Sequence, residues 1–416
     1  MTRRLAAALA LGLAIAGASP APGVAQRRAP PELTITPQHI DFASLLWGVS
    51  FGDADHGYAV GSYHAAFRTA DGGQTWARQT TPLPTKEPSL GDVEDPRGQA
   101  FTAVSFVDAD HGFAVSATGV VIATSDGGTT WDLRPTPAPS TVDAVWPGDV
   151  RPSAWSFGAV SFVDPDHGVV VGHDGVILTT ADGGTTWTYQ GKPQYGILRD
   201  TELVDEFHGQ IVGIGSGRAD GIRYTSLGTN DAGEVWQANL ADSLDTQPAD
   251  MSGIAVTVPM HAIAVGTGGR IFVTFDEGKS WRLRRHGTNE TLYDVAFLDR
   301  RRGIAVGGVN FQGESRAIVL ATNDGGENWT AFPEPDFAWF QSVTAASLST
   351  AYAVGCTNSV GDGPGQCGAA IVKIEFPELD SSINAPAPSG GSGLPFVLLG
   401  AVALVAGAGL LITRRR

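Results

Sequence analysis

The sequence predicts an all-β chain, a seven-bladed β-propeller of four-stranded antiparallel blades, with one apolar C-terminal helix behind it. Three observations carry this. An octad of the form Thr-x-Asp-x-Gly-x-x-Trp recurs six times, its Trp residues spaced 55, 56, 49, 45 and 48 apart. A repeat period of about 50 residues is the mark of a solenoid or propeller. Runs of alternating β-branched and small residues fill the intervals, and a 19-residue uncharged stretch, Leu394–Ile412, lies close to the C-terminus.

The octads are Thr69–Trp76, Thr124–Trp131, Thr180–Trp187, Thr229–Trp236, Thr274–Trp281 and Thr322–Trp329. In each the Thr ends a strand-like run such as Val120–Ala123, rich in the residues that suit a pleated surface. The Asp (Asp71, Asp126, Asp182, Asp231, Asp276, Asp324) accepts from backbone N–H groups of the turn that follows, and Gly supplies positive φ. The Trp (Trp76, Trp131, Trp187, Trp236, Trp281, Trp329) opens the next strand and buries a large apolar surface, roughly 2–3 kcal/mol when covered. The octad resembles the Asp-box, or bacterial neuraminidase repeat, of β-propellers, where it is a structural turn between the last two strands of a blade.

The second repeat shows the unit most clearly. Phe101–Val107 is an inner strand, Asp108–Gly112 a turn, Phe113–Ser116 a second strand, Ala117–Gly119 a turn, and Val120–Thr124 a third strand. The octad turn and a fourth strand from Trp131 follow. Four short strands with turn signals between them make one blade. The other blades are expected at Leu46–Thr80, Phe157–Tyr189, Leu198–Ala238, Ser252–Leu283 and Leu292–Ala331. Phe340–Ile374 repeats three strands without an octad, and Leu33–Thr36 is expected to supply its fourth from the other end of residues 30–376.

Charge narrows the function. The chain has 27 basic and 43 acidic residues, a net charge of −16. Five of the basic residues are terminal arginines, and without them the chain stands at −21. A broad basic face for nucleic acid is therefore not expected. Met1–Ala25 reads as a secretory signal peptide, with Arg3 and Arg4 before an apolar run and small residues at two cleavage points. No Cys follows it, so no lipoprotein anchor is expected. Leu394–Ile412 spans about 28 Å as a helix. A transmembrane helix at 394–413 is expected, with Arg414–Arg416 in the cytoplasm and the propeller outside. Pro377–Gly393, rich in Pro, Ser and Gly, reads as the tether.

Asp53–Gly57, Asp108–Gly112 and Asp164–Gly168 look like metal ligand clusters. Equivalent turns of separate blades are spread around a ring and do not converge on one ion, so structural turns are expected and no metal or cofactor. Cys356 and Cys367 flank ten residues of the seventh blade; in an oxidising compartment a disulfide is expected, worth on the order of 2–3 kcal/mol. Long variable segments (Pro82–Gln99, Arg134–Ser156, Gly215–Gly221, Ala238–Asp250) belong to the face opposite the octads, and loops on a rigid scaffold carry binding. Trp146, Trp155, Arg218, Arg223, Arg270 and Trp339 are the candidate binding residues there. The competing reading of Trp146 and Trp155 is that they pin the loop down.

The wording AVSFVDADHGFAV with GVILTTADGGTTW, behind a signal peptide and over seven units, resembles the photosystem II stability and assembly factor family, over about Ala43–Phe376. The resemblance implies a non-enzymatic propeller that binds membrane subunits during assembly. It also implies an arginine patch on the binding face, for which Arg218 and Arg223 are partial counterparts; the C-terminal anchor departs from the family's pattern. The expected function is a membrane-tethered extracytoplasmic scaffold whose partner is a membrane protein or an envelope polymer. The alternatives are a glycoside hydrolase of the sialidase or xyloglucanase kind, with Asp143 and Asp149 or Asp220 and Glu314 as acid and base, and a carbohydrate-binding propeller. Against a sialidase, no Phe/Tyr-Arg-Ile-Pro motif precedes Thr69.

Overall fold

The computed structural model describes residues 32–377 except 43, 84–99, 142–153, 192–195, 216–224, 239–249, 286–287, 310–314, 335 and 358–367. The expected signal peptide, tether and transmembrane helix lie outside the described residues, among which no helix is long and apolar enough to cross a membrane.

Among the described residues, twenty-eight strands form seven four-stranded antiparallel sheets. Blade one is β2 (Leu46–Phe51), β3 (Gly57–Gly61), β4 (Ala66–Thr69) and β5 (Ala77–Arg78). Blade two is β6 (Phe101–Phe106) to β9 (Asp132–Arg134), blade three β10 (Phe157–Phe162) to β13 (Thr188–Tyr189). Blade four is β14 (Ile197–Leu203) to β17 (Gln237–Ala238), blade five β18 (Met251–Val258) to β21 (Arg282–Arg285), and blade six β22 (Leu292–Phe297) to β25 (Thr330–Glu334). Blade seven holds β26 (Phe337–Ala345), β27 (Thr350–Thr357) and β28 (Ala369–Glu375). Its fourth strand is the N-terminal β1 (Thr34–Gln38), paired from Thr34↔Glu375 to Gln38↔Ile371. The predicted closing strand is thus in place.

Each octad folds the same way. In the first, the Thr69 hydroxyl donates to Asp71 Oδ1 at 2.8 Å and accepts from Gly73 N at 2.9 Å, while Asp71 accepts from Thr75 N at 2.9 Å and from its hydroxyl at 2.7 Å. Hydrogen bonds from Thr75 and Thr69 hold the Asp71 carboxyl below its ordinary range. Gly73 has a φ of 79°, which an L side chain rarely adopts. Thr69 is only 1% exposed, so removing its hydroxyl strands the buried Gly73 N–H. Thr69→Val is expected to cost about 1–3 kcal/mol, read as a lowered urea midpoint; an unchanged midpoint would show that water replaces the hydroxyl.

The Asp-x-x-His turns are local as well. Asp53 Oδ1 accepts from Asp55 N and His56 N at 2.8 and 2.7 Å, and His56 Nδ1 bonds the same carboxylate at 2.9 Å. Blades two, three and four repeat this at Asp108–His111, Asp164–His167 and Asp205–His208. In blade six Arg302 takes the place of His, donating to Asp299 at 2.8 Å. Backbone bonds such as Gly72 N to the Asp55 carbonyl, 3.0 Å, join this turn to the octad, so both lie on one face. The glycine after the His is required by packing: a Cβ on Gly57 would stand 2.4 Å from the Phe51 ring, and one on Gly112 2.3 Å from Phe106.

The core runs between blades. The Phe ending one inner strand stacks on the residue after the preceding blade's glycine, Tyr58 on Phe106 at 3.5 Å and Phe113 on Phe162 at 3.4 Å; across the closing seam Tyr352, which follows Ala351, stacks on Phe51 at 4.3 Å. The octad Trp meets the same Phe edge-on, as Trp131 meets Phe106 at 87°. Offset and edge-on pairs each add roughly 0.5–1.5 kcal/mol beyond area burial.

Candidate functional site

The inner strands of the seven blades, β2, β6, β10, β14, β18, β22 and β26, enclose a central channel with a cavity of about 640 Å³. All seven pair with their second strands in a common register, with a shift after the first, second or, in blade seven, third pair. Equivalent residues therefore form rings around the channel. The ring just past the shift holds Gly48, Ala103, Ala159, Asp200, Gly253, Asp294 and Ser342. Two residues on, Ser50, Ser105, Ser161, Glu202, Ala255, Ala296 and Thr344 form another.

These rings tie blades one to five in succession, and blade six to blade seven. Ser50 accepts from Phe106 N at 3.0 Å, Ser105 from Phe162 N at 3.2 Å, and Ser161 from Leu203 N at 3.0 Å. At the next seam Glu202 Oε2 takes the serine's role, accepting from Val256 N at 2.6 Å. Asp200 accepts from Ile254 N at 2.8 Å, and Asp294 from Val343 N at 2.8 Å. Gly253 lies in the same ring between the two aspartates, and a Cβ there would stand 2.6 Å from the Asp294 Cα. Three carboxylates thus share the channel wall of blades four and six.

Their environment favours the neutral form. Enclosure by the surrounding chain pushes Glu202 up to about 8, and the charge of Asp294 adds to this. Enclosure pushes Asp294 up to about 6 against the backbone hydrogen bonds that it accepts. Asp200 lies well above its ordinary range, through enclosure first and then the charges of Asp294 and Glu202. The guanidinium of Arg199 holds down the pKa of His173, though burial there is the larger cause. It also opposes the burial that raises Tyr293.

Sequence reasoning missed this cluster. The legible signal was the inner strand Ile197–Leu203, which carries Arg199, Asp200 and Glu202 where blade two has Thr102, Ala103 and Ser105.

The candidates that were named do not assemble into one site among the described residues. Trp155 is 4% exposed, donates its indole N–H to the Pro137 carbonyl at 2.6 Å and stacks on Tyr189 at 5.6 Å. So covered, its ring offers no face to a sugar. Trp339 is half-buried in β26 opposite Cys356, its Cα 2.7 Å from where a Gly308 Cβ would stand. Arg270 starts β20 (Arg270–Thr274), half-buried, donating to the Thr267 carbonyl at 3.1 Å. Trp146, Arg218, Arg223, Asp143, Asp149, Asp220 and Glu314 lie outside the described residues. Cys356 is disulfide-bonded; Cys367 lies outside the described residues. Among the described residues no group of three or more His, Cys, Asp or Glu is arranged to hold a metal ion.

The family model described as photosynthesis system II assembly factor YCF48 matches residues 148–284. A photosystem II assembly lipoprotein Ycf48 of Synechococcus sp. (strain CC9902) is 24% identical over 62% of this chain and 75% of its own length. The chain resembles the photosystem II assembly-factor propellers. The Ycf48 lipoprotein of Prochlorococcus marinus (strain MIT 9313) is 23% identical over 65% of the chain and 86% of that protein. A solved structure described as YCF48 bound to D1 peptide superposes with a TM-score of 0.56, at 20% identity, covering 85% of this chain and 98% of that one. This last likeness shows the fold. The matched residues 148–284 take in blades three to five, and with them Arg199, Asp200, Glu202, Arg218, Arg223 and Arg270.

Proposed function

We propose that this chain is a Ycf48-like, non-enzymatic binding and assembly scaffold that engages a membrane protein on the extracytoplasmic side. The observation that carries this is the family match over residues 148–284 together with a seven-bladed propeller of the same extent as the YCF48 structure. That structure's D1 peptide is a segment of a protein partner, which favours a peptide or subunit over a glycan here. Arg218, Arg223 and Arg270 are the residues proposed to meet it, on the face opposite the octads. Crosslinked capture from the host's own membranes tests the reading. One reproducible membrane complex is expected, reduced at least about tenfold, or ~1.4 kcal/mol, in an Arg218→Glu/Arg223→Glu/Arg270→Glu variant with an unchanged melting curve. Equal capture by the variant would remove these arginines, and no enriched membrane protein would remove the scaffold.

The proposed topology is a cleaved signal at 1–25, a tether at 377–393 and a membrane helix at 394–413, its hydrocarbon run supported by Arg414–Arg416. Full-length chain is expected to stay with the membrane after alkaline carbonate extraction, and a chain ending at Gly393 to wash off. Release of both would show that residues 394–413 do not span. The proposed Cys356–Cys367 bridge is the only pairing two cysteines allow within one chain.

A further inference from the structure

The octad face is not uniform around the ring. In the octad and the turn after the inner strand, blades one, two and three each carry three acids and no Lys or Arg, and blade four carries four acids. Blade five sets Lys279 against Asp276 and Glu277, and blade six sets Arg300, Arg301 and Arg302 against three acids. The blade-seven turn, Ala346–Ser349, has no charge. The apolar surface follows the same division. Of the six large apolar side chains that stand exposed among the described residues, five lie on this face, Phe207, Val235, Met260, Phe275 and Leu348. Phe207 and Val235 sit beside Glu206 and Glu234 of blade four. Met260, Phe275 and Leu348, 56%, 46% and 67% exposed, belong to the sector with little net charge. Blades one to three have Asp55, Asp110 and Asp166 where blade five has Met260. Arg300 and Leu348 border the channel together, so blades six and seven share one edge of the patch.

The chain also leaves the propeller here. β28 runs toward this face, its last residue Glu375 pairs with Thr34, and Phe376 N donates to the Ser349 carbonyl at 2.9 Å, one residue from Leu348. We propose that the octad-face sector of blades five to seven is a docking surface for the lipid bilayer, with Met260, Phe275 and Leu348 entering the headgroup boundary and Arg300 and Arg301 meeting anionic headgroups. Its orientation rests on the anchor proposed at 394–413. Residues 377–393 span at most about 60 Å, and their attachment point holds this face, blade seven above all, on the membrane side. Arg300 and Arg301 are exposed, and an anionic surface attracts such cations. Arg302 takes no part, because it is buried and paired with Asp299 at 2.7 Å. Exposed apolar groups beside cations mark a surface that lies in the interface without crossing it. The acids of blades one to four are repelled by the same headgroups, so the propeller meets the bilayer tilted, blades five to seven down. A second copy of the chain is a poorer occupant, since it brings the same acidic border and a net charge of −16. The face opposite the octads, where partner binding is proposed, is left open.

Quenching of a fluorophore by nitroxide-labelled lipid, in full-length chain reconstituted into vesicles of phosphatidylcholine and phosphatidylglycerol, tests this. The fluorophore is attached through Met260→Cys in blade five or through Asp110→Cys, the equivalent position of blade two. Quenching at position 260 is expected to exceed that at 110 at least about threefold, as for groups that enter the headgroup boundary by roughly 5–10 Å. Phe275→Glu/Leu348→Glu and, separately, Arg300→Glu/Arg301→Glu are expected to remove the excess; all four side chains are exposed, and an unchanged melting curve checks the fold. Equal quenching at the two positions, or an excess that survives both variants, would overturn the docking surface. A blue shift at position 260 that appears without vesicles and grows with protein concentration would assign the patch to a second copy and overturn it as well. Alkaline carbonate extraction of the same vesicles reports the anchor separately. An excess in chain that carbonate releases supports the surface without the anchor, and no excess in chain that carbonate leaves in place removes the surface alone.

Discussion

Deletion of Thr34–Gln38 is expected to destabilise the whole propeller, by on the order of 5 kcal/mol. The five-residue ladder from Thr34↔Glu375 to Gln38↔Ile371 is the only β pairing between the two ends of the described chain. Leu33 and Ile35 also pack against the apolar cluster that includes Ile374 and Phe376. Without β1, the outer edge of β28 presents its unpaired N–H and C=O groups to solvent and to other chains. The deleted chain should melt at lower temperature and run as oligomers in light scattering. A monodisperse monomer with the wild-type melting point would mean that blade seven is stable with three strands.

Tyr352→Ala should cost about 3–5 kcal/mol. Tyr352 is 1% exposed, stacks on Phe51 at 4.3 Å and donates its hydroxyl to the Gly72 carbonyl, joining blade seven to the first octad. Burial pushes that hydroxyl up to about 12, so it stays a donor throughout the working range. Gly73 makes room, since a Cβ there would stand 2.6 Å from the ring. Truncation leaves both a cavity and an orphaned carbonyl. Tyr352→Phe removes only the hydrogen bond and should cost about 1–2 kcal/mol. Tyr58→Ala removes the same arrangement at the seam of blades one and two, where the Tyr58 hydroxyl donates to the Gly127 carbonyl. Urea unfolding of the four proteins checks this. Equal midpoints for Tyr352→Phe and Tyr352→Ala would show that the stack contributes nothing.

Which features were legible follows from how far apart their parts lie in the chain. An octad closes over eight residues, Asp53 caps His56 over four, and each of the first six blades uses only its own stretch of about 40. Such interactions leave fixed spacings, so the blade count, the strand order and the Asp-x-x-His turns could be read in one dimension. The closing strand was readable too, because three strands of blade seven lacked a fourth and a β-rich segment stood unused at the other end. Trp155 was not decided by its position in a long segment. Its environment is made by Pro137 and Tyr189, 18 and 34 positions away on opposite sides.

The sequence by itself determined the repeat, the seven blades, their turns and the glycines those turns require, since each rests on contacts within one unit. Only the tertiary structure decided what the ring encloses. Asp200 and Asp294 are 94 positions apart, on blades that are not neighbours, and read alone each is an ordinary acid in a strand. Ring closure sets them in one layer across a glycine, on the wall of one channel, and that setting, not their spacing, gives them their chemistry.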